Sequence, residues 1–229
     1  NGGSALSGLE YSLDAGSTWV SAGTLATTFT ILGLTNGVTY AVILRATNAI
    51  GTSTSSSSQS VTPASVSSSP RLVTATRGQA KTIVSWSAPS ATGGSAITGY
   101  TASAYTVSTD GTAFATCTTT NLTCEITGLA NGTTYYVSVT ATNGVGESVE
   151  SSPRISVVPA AAPGAPTISS VTARNQGFTV AFSDGSADTN SPITGYQYSL
   201  NGGGSWLDSS ATSSPMLITG LTHGTSYNL

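Results

Sequence analysis

Short runs of alternating apolar and polar residues follow one another along the chain, separated by Gly, Ser, Asn and Pro. Near the middle, Thr82, Val84 and Trp86 lie at every second position, so they would share one face of a strand. A second run at 135–141 repeats this alternation. Alternation with a period of two predicts half-buried β-strands, whereas the three- and four-residue spacing of an amphipathic helix does not occur. Gly, Thr, Ser and Val also discourage helix. The pattern therefore predicts an all-β protein.

The pattern Gly-Leu-x-x-Gly-x-x-Tyr occurs three times, and successive copies begin 95 and 92 residues apart. This period is the size of a small domain and predicts a tandem array. We divide the chain into a first module (1–64), a middle module (65–160) and a third module (161–229). The middle module is expected to be complete. The first is expected to hold the C-terminal part of a unit and the third the N-terminal part, as in a window on a longer array.

The middle module resembles fibronectin type III domains. The resemblance rests on an early proline, an aromatic residue on the second strand, a Tyr opening the third, a Leu-x-x-Gly-x-x-Tyr corner and an Ala-Thr-Asn run. These features are Pro70, Trp86, Tyr100, Leu129 with Gly132 and Tyr135, and Ala141–Asn143. The Ser- and Thr-rich sequence is similar to repeats of large secreted or surface proteins of bacteria. The resemblance implies tandem immunoglobulin-like (fibronectin type III) antiparallel β-sandwiches, with about seven strands per module, joined by short Pro-rich linkers.

The resemblance also implies a role for the last residue of each repeated pattern, Tyr40, Tyr135 and Tyr227. In the tyrosine corner of such sandwiches, the ring packs under the sheet and the hydroxyl bonds to backbone just upstream. A buried hydroxyl needs a partner of this kind. We therefore expect these tyrosines to be structural.

Proline-containing linkers at 62–70 and 159–166 separate the modules. Because proline interrupts a sheet and favours extended backbone, we expect successive modules to be held apart as a semi-rigid string. Neighbouring modules of the same longer chain are the first expected partners.

The two cysteines, Cys117 and Cys124, have six residues between them. In a β-rich chain this spacing suits facing positions of a hairpin, where the Cβ atoms are close enough for a disulfide. A zinc site would need further ligands, and the only histidine, His223, lies in another module. A disulfide predicts an oxidising, extracellular or cell-surface location.

Alignment on Ile31, Ile126 and Ile218 places Cys124 where the other modules have Phe29 and Met216. The middle module also lacks the Trp that the others carry as Trp19 and Trp206. We interpret the disulfide as a substitute for aromatic packing.

Charged residues make up only 7% of the chain, against roughly 25% in ordinary soluble domains. The six basic residues are scattered, so no basic stripe is available for a phosphate backbone, and nucleic acid is not an expected partner. No apolar run approaches the roughly 18 residues that span a bilayer, so no membrane insertion is expected in this segment.

No constellation of residues indicates catalysis. His223 is interpreted as a turn residue, and Glu147 and Glu150 as a solvated edge without counterparts in the other modules. We expect no enzyme activity, no catalytic residue and no cofactor. Asp184, Asp188 and Asn190 are weak candidates for a calcium site. Because the equivalent loop of the middle module, 90–95, lacks a carboxylate, ordinary turn roles are favoured and no metal is predicted.

Two acceptor patterns, Asn121-Leu122-Thr123 and Asn131-Gly132-Thr133, make Asn121 and Asn131 candidate N-glycosylation sites. Chance matches are also expected in a chain this rich in Ser, Thr and Asn.

Together these features predict a non-catalytic extracellular segment: a stalk, fibre or filament component of a cell-surface or secreted protein, able to self-associate through open sheet edges. One alternative is an adhesin module that binds polysaccharide or host protein. Another is a set of accessory domains of a secreted polysaccharide hydrolase. The aromatic candidates for a glycan or surface ligand are Trp19, Tyr105, Tyr136, Tyr196, Tyr198 and Trp206.

Overall fold

The computed structural model describes residues 2–187 and 191–229. These residues form sixteen β-strands and no α-helix. The strands are β1 (Leu6–Ser12), β2 (Val20–Ser21), β3 (Tyr40–Asn48), β4 (Gln59–Val61), β5 (Arg71–Gly78), β6 (Lys81–Ser87), β7 (Ile97–Tyr105), β8 (Ala115–Thr119), β9 (Thr123–Thr127), β10 (Tyr135–Asn143), β11 (Ile155–Val157), β12 (Thr167–Arg174), β13 (Gly177–Ser183), β14 (Gln197–Tyr198), β15 (Leu207–Asp208) and β16 (Met216–Thr219). The predicted fold class, antiparallel β-sandwiches in tandem, is confirmed.

The middle module contains seven strands in two antiparallel sheets. One sheet has the order β5-β6-β9, and the other has the order β11-β10-β7-β8. Alternation along the central strands directs one set of side chains between the sheets. Val84 on β6, Ile126 on β9 and Val137 on β10 have no exposed surface. This closed core lies between the sheets, as in other sandwiches.

The first module consists of one antiparallel sheet with the order β2-β1-β3-β4. Among its described apolar residues, Ile43 is the one large side chain that is buried. Val42 and Leu44 occupy positions of the repeat that are buried in the middle module, but here they are only half-buried. No second sheet covers this face among the described residues.

The third module pairs its strands in the order β12-β13-β16, and β14 and β15 form a separate hairpin. Its buried core is small and comprises Val180, Phe182, Met216 and Ile218. Every residue of β12 is exposed. β12 is an edge strand of its sheet, as β5 is in the middle module, but β5 has partly buried residues and β12 has none.

Candidate functional site

The strongest local feature of the middle module is the disulfide between Cys117 and Cys124, whose Cα atoms are 6.3 Å apart. The two strands that carry it do not form a hydrogen-bonded hairpin. Cys117 lies on β8, which pairs with β7, whereas Cys124 lies on β9, which pairs with β6. The disulfide therefore links the two sheets. The predicted bond is present, but its placement across a hairpin is wrong, because the chain changes sheets between β8 and β9.

Both cysteines pack against the core of the middle module. Cys117 pairs with Ala102 across the sheet, and Cys124 pairs with the buried Val84. Both half-cystines are only partly exposed. The disulfide thus closes one side of the sandwich, where it ties the four-stranded sheet to the three-stranded sheet.

The three corner tyrosines each accept a hydrogen bond from a backbone amide five residues upstream. The Tyr135 hydroxyl accepts from the Ala130 amide at 3.1 Å. The Tyr40 and Tyr227 hydroxyls accept from Thr35 and Thr222, each at 3.0 Å. Tyr135 is buried, whereas Tyr40 and Tyr227 are half-buried. The same local bond is therefore made in one buried and two half-buried corners.

Two hairpin turns repeat a side-chain network that holds the backbone. In the first module, Asp14 accepts from the Ser12 hydroxyl at 2.7 Å and from the Thr18 amide at 2.8 Å. The Ser12 hydroxyl bond is the main cause that lowers the pKa of Asp14 to about 2, and the bonds from Thr18 add to it. In the third module, Asn201 takes the place of Asp14 and accepts from the Ser199 hydroxyl and the Ser205 amide.

The acidic residues near the last strand of the middle module make structural bonds. The Thr140 hydroxyl donates to Glu147. Glu150 accepts from the Ser138 hydroxyl at 2.5 Å and pairs with Arg154 at 3.1 Å. Burial by itself raises the pKa of Glu150, but the bonds from Ser138 and Arg154 outweigh it and lower the pKa below its ordinary value. A carboxylate held ionised in this way is poorly suited to general acid chemistry.

Arg154 fixes the loop after β7, a role that the sequence pattern does not predict. Its guanidinium carbon lies 3.4 Å from the centroid of the Tyr105 ring. Its Nη1 also donates to the backbone carbonyls of Val107 and Asp110, at 3.2 and 2.7 Å. Arg154 therefore clamps this loop against the segment that precedes β11. Sequence position does not suggest the contact, because Arg154 precedes β11 and Tyr105 lies on β7, on the far side of β10 in the sheet.

The candidate ligand residues do not converge on a metal site in the described part of the chain. The Asp184 carboxylate accepts from the Tyr196 hydroxyl at 2.6 Å, and this bond raises the pKa of Tyr196. Asp188 and Asn190 lie outside the described residues. Within residues 2–187 and 191–229, no three His, Cys, Asp or Glu side chains are grouped to hold a metal ion. His223 is exposed in its turn.

The two glycosylation candidates are both exposed. Asn121 lies in the turn between β8 and β9, and the Asn121 amide donates to the Thr119 hydroxyl at 3.0 Å. The Asn131 side-chain oxygen accepts from the Ala80 amide at 2.8 Å. The Asn131 side chain therefore has a structural bond that a glycan would have to leave intact.

Most of the aromatic candidates are engaged in packing. Arg45 lies over the Trp19 ring at 4.1 Å, and Tyr196 packs edge-on against Phe182 with the ring centroids 4.7 Å apart. Trp206 differs, because 61% of its surface is exposed. It borders a cavity of about 560 Å³ in the third module, whose lining also includes Phe182, Tyr196, Tyr198 and Met216.

The seven strands in two sheets, the corner and the residues around it point to one domain family, and a family model covers the same segment. Residues 68–158 match the fibronectin type III domain. This segment of the middle module is therefore similar to the fibronectin type III family. None of the described residues forms a helix long and apolar enough to cross a bilayer.

Similarity to individual proteins is limited. A stretch of 74 residues is 39% identical to a Kelch domain-containing protein of Saccharolobus solfataricus, and the match covers 32% of this chain and 10% of that protein. The chain therefore spans a small part of the length of the curated relative that it matches.

Among solved structures, domains A168-A170 of titin are similar, with 18% identity, a TM-score of 0.46 and coverage of 66% of this chain and 53% of that one. Domains FN1-FN3 of chicken CNTN1 are also similar, with 17% identity, a TM-score of 0.40 and coverage of 66% and 52%. The similarity to the fibronectin type III family rests on the match of residues 68–158 alone.

Proposed function

We propose that this segment is a non-catalytic structural spacer of an extracellular or cell-surface protein, in the form of a stalk, fibre or filament component. The observation that carries the proposal is the closure of the middle module by a disulfide that joins its two sheets. A covalent link across a sandwich limits separation of the sheets. Such a bond is also retained in an oxidising compartment rather than in the cytosol.

The surrounding polar residues support the same role. The side chains with most potential for chemistry, among them Asp14, Glu150 and Asp184, make hydrogen bonds that fix turns and loops. Only 7% of the residues are charged, so the surface is largely neutral. These features suit a module whose task is to keep its shape and spacing.

The proposal is tested on the native protein from its source. Mass spectrometry of non-reduced peptides should find Cys117 and Cys124 in one disulfide-linked species. Immunoelectron microscopy with an antibody against the middle module should label the cell exterior or a secreted polymer. Reduced cysteines together with cytosolic label would contradict the proposal.

Self-association belongs to the same proposal. The fully exposed β12 presents unpaired backbone groups at a sheet edge, and such an edge can accept a further strand. Sedimentation velocity over a hundredfold range of concentration tests this. A growing series of oligomers is the expected result, and a monomer at every concentration would exclude assembly through this edge.

Adhesion is a second candidate, favoured by the aromatic cavity beside Trp206. Its volume of about 560 Å³ falls within the range of about 300–1,000 Å³ that is common for ligand sites. Saturable binding to one class of polysaccharide, lost in Trp206→Ala and kept in Trp19→Ala, would support this function. Trp19 is a matched control because it is already covered by Arg45.

A further inference from the structure

The first and middle modules are in direct contact at their junction, which contradicts the expectation that linkers hold successive modules apart. The turn at Asn36 and Gly37 lies against the loop at Gly93 and Gly94. A Cβ atom added to Gly94 would lie 2.3 Å from the Gly37 nitrogen and 2.8 Å from the Asn36 carbonyl carbon. The two backbones therefore meet at a distance that only glycine allows at position 94.

Ser65, in the linker, is bonded from both modules. Its hydroxyl accepts from the Asn36 side chain at 3.0 Å. Its amide donates to the Gly93 carbonyl at 2.8 Å, and its carbonyl accepts from the Asn143 side chain at 2.8 Å. Each polar group of this linker residue thus has a partner outside the linker.

Asn143 is a rigid support for this arrangement because it is buried and its side chain is fully bonded. Its amide nitrogen also donates to the Thr92 carbonyl at 2.8 Å. Its side-chain oxygen accepts from the Val145 and Gly146 amides, at 2.9 and 3.1 Å. The loop that receives the first module is therefore held in one shape.

The linker to the third module has the same length but different residues. The Gly132 amide donates to the Pro159 carbonyl at 2.8 Å, as the Gly37 amide does to Pro63 at 2.9 Å. Each proline lies eight residues before the start of a strand, β12 or β5. Counting between these points places Ala161 where the first linker has Ser65.

The receiving loops also align in sequence, because both precede the same Ile-Thr-Gly-Tyr motif at Ile97 and Ile193. Counting back from the motif places Asn190 where the middle module has Gly94. Asn190 lies outside the described residues, so this comparison is one of sequence.

We infer that Gly94 makes the first junction a fixed contact between the first and middle modules. The Asn-Gly turn of the first module is the partner of a surface on the middle module. That surface is formed by Ser65, Gly93, Gly94 and Asn143. The residue at position 94 determines whether the backbone of that turn can contact the loop of the middle module. This holds whether or not the segment acts as a spacer.

The test copies the residue of the third module into the middle one as Gly94→Asn. Gly94 has a φ of +82°, and asparagine adopts positive φ more readily than most residues, so the loop itself is retained. Spin labels on Ile50→Cys and Val149→Cys, which replace exposed side chains in the two modules, report the distance across the junction. We expect the distance distribution to become at least twice as wide.

Gly128→Asn is the matched control. Gly128 has a φ of +77°, and a Cβ atom there would meet nothing within 4 Å. It carries the same substitution in the same module and should leave the distribution unchanged.

A second variant, Gly37→Asn, perturbs the contact from the first module and leaves the middle module intact. A Cβ atom at Gly37 would lie 3.1 Å from the Gly94 Cα atom. Gly37→Asn should also broaden the distribution of spin-label distances. If Gly94→Asn disturbs folding of the middle module, the result for Gly37→Asn tests the inference by itself. Distributions as narrow as that of the unmodified junction in both variants would overturn the inference.

Discussion

The middle and third modules close the same side of their cores with different chemistry. In the third module, Tyr198 pairs with Leu207 across the hairpin, and Met216 pairs with the buried Val180. The corresponding pairs in the middle module are Ala102 with Cys117 and Cys124 with Val84. A small residue and a disulfide thus stand where the third module has three large side chains. Of these, Tyr198 and Met216 belong to the core of the third module, whereas Leu207 is exposed. Closure of the third module by side-chain packing therefore rests on Tyr198 and Met216.

The first module follows the third in this respect. Tyr11 pairs with Val20, and the Tyr11 ring lies 5.8 Å from that of Phe29. The interpretation of the disulfide as a substitute for aromatic packing stays a prediction, because Phe29 packs against Tyr11 in the first module whereas Trp206 of the third module is 61% exposed. It makes the comparison testable by substitution.

The largest expected effect contrasts a closed core with an open one. Ile126→Ala removes a side chain with no exposed surface and should lower the free energy of unfolding by about 2–5 kcal/mol. Ile31→Ala, at the aligned half-buried position, should cost much less. Hydrogen exchange of β6 and β3 amides measures the two effects. Equal losses would show that the first module has a core as closed as that of the middle module.

Reduction of the disulfide should have the next largest effect. Opening the short loop between Cys117 and Cys124 should destabilise the middle module by about 2–3 kcal/mol on the chain-entropy estimate. Urea unfolding in oxidising and reducing buffer measures it. Cys124→Ser should match the reduced protein and leave ligand binding unchanged. Equal stability of Cys124→Ser and the oxidised wild type would contradict a structural role.

Replacing the residues that close the core of the middle module with those of the third module tests whether the two kinds of closure are interchangeable. Ala102→Tyr in the oxidised protein should cost about 1–3 kcal/mol, because the fully buried site is already packed. The cost should fall when Cys117→Leu and Cys124→Met are present as well, because the third module accommodates that combination. A double-mutant cycle of urea midpoints measures the coupling. Additive costs would show that the two closures are not interchangeable.

Removal of a corner hydroxyl should have a smaller effect that follows burial. Tyr135→Phe leaves the Ala130 amide without its acceptor and should cost about 1 kcal/mol. Tyr227→Phe, in the exposed corner of the third module, should cost less. Thermal unfolding of the two variants gives the ranking, and a larger loss in Tyr227→Phe would reverse it.

The smallest effect is a pH dependence of the Asp14 turn in the first module. The pKa of Asp14 is lowered to about 2 from 3.8 in the folded protein. Its stabilisation of the turn is therefore complete above about pH 4 and is lost as the pH falls towards 2. The Thr18 amide shift in NMR spectra should titrate with this pKa. The Ser205 amide, which donates to Asn201, should not respond, and Asp14→Asn should remove the response at Thr18.

The fold could be predicted from the sequence because the signals that determine it are local. Alternation identifies the central strands β6 and β10, and the repeated corner identifies the module. The sheets to which β8 and β9 belong are determined by long-range pairing with β7 and β6, and the spacing of the two cysteines carries no information about that pairing. The contact at Gly94 was missed for a related reason. A glycine in a turn gives no sign that another backbone lies against it.

Stretching single molecules of the full chain tests the central claim, a mechanically closed module in a structural array, most directly. Under oxidising conditions the middle module should unfold in one discrete event. Reduction should lengthen the released chain by about 20 Å, because seven residue steps between Cys117 and Cys124 become free to extend. The absence of a discrete event, or an extension that reduction leaves unchanged, would contradict the account.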